Sequence, residues 1–180
     1  MALDVYLSAL PVEEARKLSK GIGAARLPRY PLLCADVISC YGAMAIPPHL
    51  YQDLTALKNL SVKYNWNCNF SFVLRNDYEA IVVTDTLRQI IWVSRGFKKM
   101  TGYDPEYAIG KKPVFLQGPE TSQAVIASIR QKLLRGEPFS EVIVNYRKDK
   151  SPYRCALRIY PICDYEKRPV AFIALEKQVA

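Results

Sequence analysis

Near residue 75 the apolar residues change from a helical period to a period of two, and that change limits the folds open to the chain. Downstream, "EAIVVTDT" and "QIIWVS" are short β-rich segments separated by "LR", the look of a hairpin. Two short helices follow in "RGFKKMTGY" and "DPEYAIG", where Asp104 suits a cap and Pro105 a first helical turn. A longer helix through "TSQAVIASIRQKLLRGE" sets Val125, Ile129 and Leu133 on one face and stops at Gly136. "FSEVIVNYRKD", "PYRCALRIYPICD" and "VAFIALEKQ" read as three strands joined by turns. The order ββ, helices, βββ predicts an α+β domain, a five-stranded antiparallel sheet with its helices on one face.

Upstream the pattern is helical, so the expected division is a helical N-terminal segment, residues 1–75, before a sheet domain, residues 76–180. "VEEARKLSKGIG" runs from acids to bases and glycine, as a helix dipole prefers, and "LLCADVISCYGAMA" is an apolar helix candidate. "PPHLYQDLTALKNLSVKYNW" opens on Pro47-Pro48 and places Leu50, Leu54, Leu57 and Leu60 on one stripe.

Charge and cysteine usage narrow the function classes. The net charge of +8 is dispersed, +3 over the first 75 residues and +5 over the rest, and no basic run reaches five residues. A solvated basic surface explains this better than a nucleic-acid interface. Cys34, Cys40, Cys68, Cys155 and Cys163 are odd in number and lack CxxC spacing, as reduced thiols of a cytoplasmic protein would. His49 is the single histidine, which excludes a His-rich metal site and argues against a His-based triad. The start carries Asp4 before any base and an apolar core cut by Pro11, which is no signal peptide, and no run of about 20 apolar residues occurs. The expected protein is soluble, non-enzymatic and free of metal.

The words "GFKKMTGYDPEYAIGKKPVFLQGPET", "IRQKLLRGEPF", "NYRKDKSPY" and "FIALE" carry a resemblance. From about Tyr78 to Gln178 the chain resembles the PAS superfamily and, within it, the flavin-binding LOV (light, oxygen, voltage) sensors. The "TGY…E..IG" core is shared by PAS domains broadly, whereas "FLQGPET" with the following "IR" points to the LOV branch. The resemblance implies a PAS fold with a pocket for flavin mononucleotide between helices and sheet.

The family's photoactive loop typically reads GxNCRFLQ. Here Gly110, Phe115, Leu116 and Gln117 match, while Lys112 stands at the asparagine, Pro113 at the reactive cysteine and Val114 at the arginine. Proline carries no nucleophile and no N–H, so the resemblance implies a branch without adduct photochemistry. Gln117 and Arg130 align with phosphate-side contacts, and Asn145 with the first of two asparagines on the flavin's polar edge. The second asparagine falls on Cys155 and the last-strand glutamine on Glu176. These substitutions imply that flavin is lost, or that flavin mononucleotide or another small ligand is held weakly. Asn145 is expected to find its partner in Glu176 or Cys155 across the sheet.

The other sheet face is apolar: Val142, Val144 and Tyr146 share it with Tyr160, Ile162, Ile173 and Leu175, interrupted by Arg154 and Arg158. The leucine-striped helix is the expected cover, in cis or from a second copy. The favoured function is a signalling module that self-associates or docks a partner protein through this face and the N-terminal helices, with output passed to that partner. The alternative is a small-molecule sensor with a remodelled cavity. No nucleophile–base pair or phosphate loop supports an enzyme, since "KGIGAA" lacks the preceding strand.

Overall fold

In the computed structural model, residues 47–180 are described. The two helix candidates before Pro47 lie outside them. Strands β1 (Ala80–Asp85), β2 (Ile90–Val93), β3 (Phe139–Tyr146), β4 (Pro152–Cys163) and β5 (Pro169–Val179) form one antiparallel sheet in the order β2-β1-β5-β4-β3. Pairings such as Val82 with Ala174, Leu157 with Glu176 and Ile143 with Cys155 set the register. Because successive side chains alternate, this register decides which residues meet on each face.

The inner face carries the segment between the two hairpin ends. Helix α3 (Arg95–Thr101) starts at Ser94, whose Oγ accepts from the Ile81 N–H at 2.9 Å and so fixes the helix to β1. Gly96 is needed there, because a Cβ would stand 1.7 Å from the Glu79 carbonyl oxygen. Gly102 closes α3 with φ 77°, a left-handed conformation that glycine adopts without penalty. The short helix α4 (Pro105–Ala108) follows Asp104 with proline in its first turn, as the sequence predicts, but the Asp104 side chain makes no cap hydrogen bond and pairs with Lys98 instead. A 3-10 turn (Pro113–Leu116) leads to helix α5 (Gln123–Arg135), capped by Ser122 and stopped by Gly136.

The outer face is covered from within the same chain. Helix α1 (Pro48–Lys63) buries Leu54 and Leu57 to 1% and 0% exposure. With Trp66 and Phe70 of the connecting loop and Val73 of the short helix α2 (Ser71–Arg75), they join Ile81, Val83, Ile162, Ile173 and Leu175 in one apolar cluster. Burying a leucine so completely contributes roughly 1.5–3 kcal/mol. Phe72 stacks on Tyr160 with ring centroids 4.1 Å apart. The expected cover is therefore intramolecular, and it reaches only part of the face. Val142 stays exposed, and Val144 and Tyr146 lie outside the cluster, so the β3 side differs from the sequence expectation. The physical reason is the strand order: β3 is an edge, farthest from β1.

Candidate functional site

The inner face and α5 enclose a cavity of about 280 Å³. Ile126, Ile129 and Leu133 line it from α5, at the spacing of one helical face. Ile143, Leu157 and Ile159 line it from the sheet, and Pro113, Val114 and Leu116 from the 3-10 turn. Its walls are predominantly apolar, with a few polar groups converging on them, the usual make-up of a small-molecule site.

The loop at the mouth is pinned from both ends. The Gly110 N–H donates to the Ile90 carbonyl at 2.7 Å and the Ile90 N–H to the Lys111 carbonyl at 2.9 Å, which fixes the approach to Lys112 and Pro113. Thr121 Oγ1 donates to the Val144 carbonyl at 2.6 Å and accepts from the Gly118 N–H at 2.9 Å, holding the loop end against β3. Tyr146 packs so closely on Gly118 that a Cβ there would come within 2.4 Å of its ring.

Five of the predicted positions meet in the cavity. Gln117 and Arg130 line it with Pro113, and Asn145 and Glu176 line it as buried residues of the sheet. Cys155 does not reach the lining. It is fully buried beside Glu176, its Sγ donating to Glu176 Oε2 at 4.0 Å. The register explains this arrangement: Cys155 pairs with Gln178 and Ile143, while Glu176 pairs with Leu157 and Ala80. The expected bond from Asn145 to Glu176 or Cys155 is not made, because the residue opposite Asn145 is Tyr153.

Sequence reasoning missed Arg88 and assigned no role to the charge of Lys112. Both line the cavity with Arg130, and all three are exposed and outside ion pairs among the described residues. Arg88 takes φ 64° in the β1–β2 turn, closed by its N–H to the Asp85 carbonyl at 3.0 Å. The "LR" spacing marks the turn, but not that the turn stands over the cavity. Three cations thus border a cavity in which the one acid, Glu176, is buried.

Desolvation governs the electrostatics of the floor. Burial pushes the Glu176 carboxyl up to about 7. Burial, and next the Glu176 charge, hold the Cys155 thiol and the Tyr153 hydroxyl well above their ordinary values. Both are therefore protonated at neutral pH, and a protonated thiol is a poor nucleophile. The Tyr153 hydroxyl is buried without a hydrogen-bond partner, while the Arg147 guanidinium lies 4.6 Å from its ring centre. No His, Ser or Cys lines the cavity, and among the described residues no group of three or more His, Cys, Asp or Glu is placed to hold a metal. The lining is predominantly apolar and lacks an activated nucleophile.

The chain is 38% identical over 105 residues to phototropin-2 of Oryza sativa subsp. japonica, a match over 57% of this chain and 12% of that protein. A blue-light photoreceptor of Listeria monocytogenes is 33% identical over 102 residues, 55% of this chain and 40% of its own length. The chain thus spans less than half the length of these relatives. Among solved structures, a light-oxygen-voltage domain studied with a flavin analogue aligns with a TM-score of 0.56 at 32% identity, over 62% of this chain and 87% of that one. The dark structure of the Aureochrome1 LOV domain aligns with a TM-score of 0.58 at 28% identity, over 63% and 86%. No helix among the described residues is long and apolar enough to cross a membrane. The model of the PAS domain matches residues 79–177, the same stretch that forms the sheet and its inner helices, and on that match the chain belongs to the PAS domain family.

Proposed function

We propose that this PAS domain is a small-molecule sensor that takes a flavin or a similar planar ring in the cavity between α5 and the sheet, without forming a covalent adduct. PAS domains of this kind are non-catalytic signalling modules, and the cavity is the observation that carries the ligand-sensing role. Its volume of about 280 Å³ and apolar walls suit a ring. Arg88, Lys112 and Arg130 at its border suit an anionic tail such as a phosphate. The relatives named as blue-light photoreceptors and the flavin-analogue structure support the same ligand class.

The chain's residues fit flavin mononucleotide at the walls and border and do not fit it at the floor. Arg88 and Lys112 supply charge where Val114 cannot. Glu176, once ionised, offers only acceptors to a ring edge that carries acceptors of its own. Pro113 and the inert Cys155 leave no sulfur to bond the ring, so sensing proceeds by occupancy. The signal passes to a protein partner, for which the uncovered β3 side with Val142 is available.

The test is an absorbance spectrum of the purified protein, mass spectrometry of what denaturation releases, and titration with flavin mononucleotide and lumiflavin. Saturable binding that a bulky substitution at Ile129 abolishes supports the proposal. A protein that binds neither compound and releases none refutes it.

A further inference from the structure

We propose that Glu176 makes this cavity select planar nitrogen heterocycles that present an N–H donor to the sheet, over rings that present only acceptors. This rests on the cavity being a ligand site, and it concerns which edge of the ligand the floor accepts. Glu176 lines the cavity at 5% exposure, and among the described residues no Lys, Arg or His forms an ion pair with it. Its recorded side-chain partner is the Cys155 thiol, a weak donor at 4.0 Å. A carboxylate can accept several hydrogen bonds, and a buried one without donors is costly. The Tyr153 hydroxyl makes no hydrogen bond and only the Cys155 thiol reaches the carboxyl, so once Glu176 is ionised its further donors come from whatever fills the cavity.

The neighbours sharpen the choice. Asn145, buried and lining the same floor, can donate or accept and so tolerates either kind of edge. Leu157 and Ala80 flank Glu176 in the sheet and offer no side-chain donor. Glu176, once ionised, is thus the group on the floor that discriminates by hydrogen-bond sense. An amino or ring N–H facing it gains a charge-assisted bond, whereas an ether or ring nitrogen facing it leaves two acceptors opposed. The cations lie at the border, so an anionic substituent on the same ligand would not compete for this position.

The test compares 4-aminoquinazoline with 4-methoxyquinazoline, two rings of similar size that differ in the donor. Both are titrated at pH 8, where the carboxyl is ionised, into the full chain and its Glu176→Gln and Glu176→Leu variants, with thermal melts to confirm folding. The wild type should prefer the amine by roughly tenfold or more, the scale of one charge-assisted hydrogen bond. Glu176→Gln, which can donate as well as accept, should shrink the preference severalfold, and Glu176→Leu should remove it. Equal binding of both rings by the wild type overturns the inference while the cavity reading stands. A preference that persists in Glu176→Leu also overturns it. If neither quinazoline, flavin mononucleotide nor lumiflavin binds, the cavity reading itself fails.

Discussion

The Tyr78 hydroxyl donates to Asp53 Oδ2 at 3.0 Å, joining the start of the sheet to the helix that covers its outer face. Burial holds the Asp53 carboxyl above its ordinary range, and the Tyr78 bond works against that shift. The bond therefore favours the ionised form. Tyr78→Phe should cost about 1–3 kcal/mol in urea unfolding at pH 7. The cost should shrink as pH falls through the Asp53 titration, because a protonated carboxyl needs the donor less. An equal cost at both ends of the pH range would count against this pairing.

Leu54 and Leu57 sit in a packed interior, at 1% and 0% exposure. Replacing either with alanine should destabilise the domain by about 2–5 kcal/mol, through lost transfer energy and a residual cavity. Because the packing is intramolecular, the loss should be the same at low and high protein concentration. A midpoint that rises with protein concentration in the variants would instead place these leucines between two copies.

Much of the fold was legible because its signals are local. Period-two strands, Asp104-Pro105 and Gly136 each follow from backbone chemistry within a few residues. The five-residue helix Ser71–Arg75 was not legible: its one local signal is Asn69 Oδ1 accepting from the Ser71 N–H at 2.8 Å, and the rest is the packing of Phe70, Phe72 and Val73 on the sheet. The site was legible in parts. Asn145 and Glu176 were placed by the family resemblance, yet whether Cys155 lines the cavity or lies beside it depends on inter-strand register, which no single strand encodes. Arg88 escaped notice for a similar reason, because only tertiary folding brings that hairpin turn to the cavity.

Gly96 offers a sharper test of how α3 sits on the sheet. The clash of an added Cβ would be with backbone, the Glu79 carbonyl at 1.7 Å, and backbone cannot rotate away as a side chain can. That segment is itself held by the Glu79 N–H donating to the Glu176 carbonyl at 2.8 Å. Gly96→Ala should therefore cost at least about 3 kcal/mol or prevent folding. Gly110→Ala is the contrast: no atom lies within 4 Å, and only its φ of 80° opposes the change. It should cost about 1–2 kcal/mol. Circular dichroism melts of the two variants would compare them directly.

Pro113 should make the domain photochemically inert. Blue light on the protein mixed with flavin mononucleotide should cause no thermally reversible bleaching, as proline cannot form the carbon–sulfur bond. Combining Pro113→Cys, Val114→Arg and Glu176→Gln should tighten flavin binding by at least roughly tenfold, since the introduced guanidinium adds a charge-assisted bond and the introduced amide a donor. Cys155 is left unchanged, because it is fully buried and an amide there would need new partners. Reversible bleaching in the unmodified chain would require a sulfur to reach the ring, and would overturn the inertness of Cys155.

Glu176 should also make stability depend on pH in a definite direction. In the unfolded chain its carboxyl titrates near the usual 4.5, while in the folded domain burial raises it to about 7. Below pH 4.5 both states hold the proton, and the folded state's preference for the neutral carboxyl is fully expressed. As pH rises, the unfolded state ionises first and gains, so stability falls until the folded carboxyl also ionises near 7. The two values imply a loss of about 3 kcal/mol across that window. The profile becomes level, for this group, at higher pH. Other carboxyls titrate in the same range, several with lowered values through ion pairs, such as Asp104 beside Lys98, and these push stability the opposite way at lower pH. The measurement is therefore the difference between wild type and Glu176→Gln, by urea unfolding at half-unit steps from about pH 4.5 to 8. The variant lacks the ionisation and should gain on the wild type as pH rises. A difference that stays constant over the window would mean that Glu176 is ionised in the folded domain throughout, with donors supplied from within the chain.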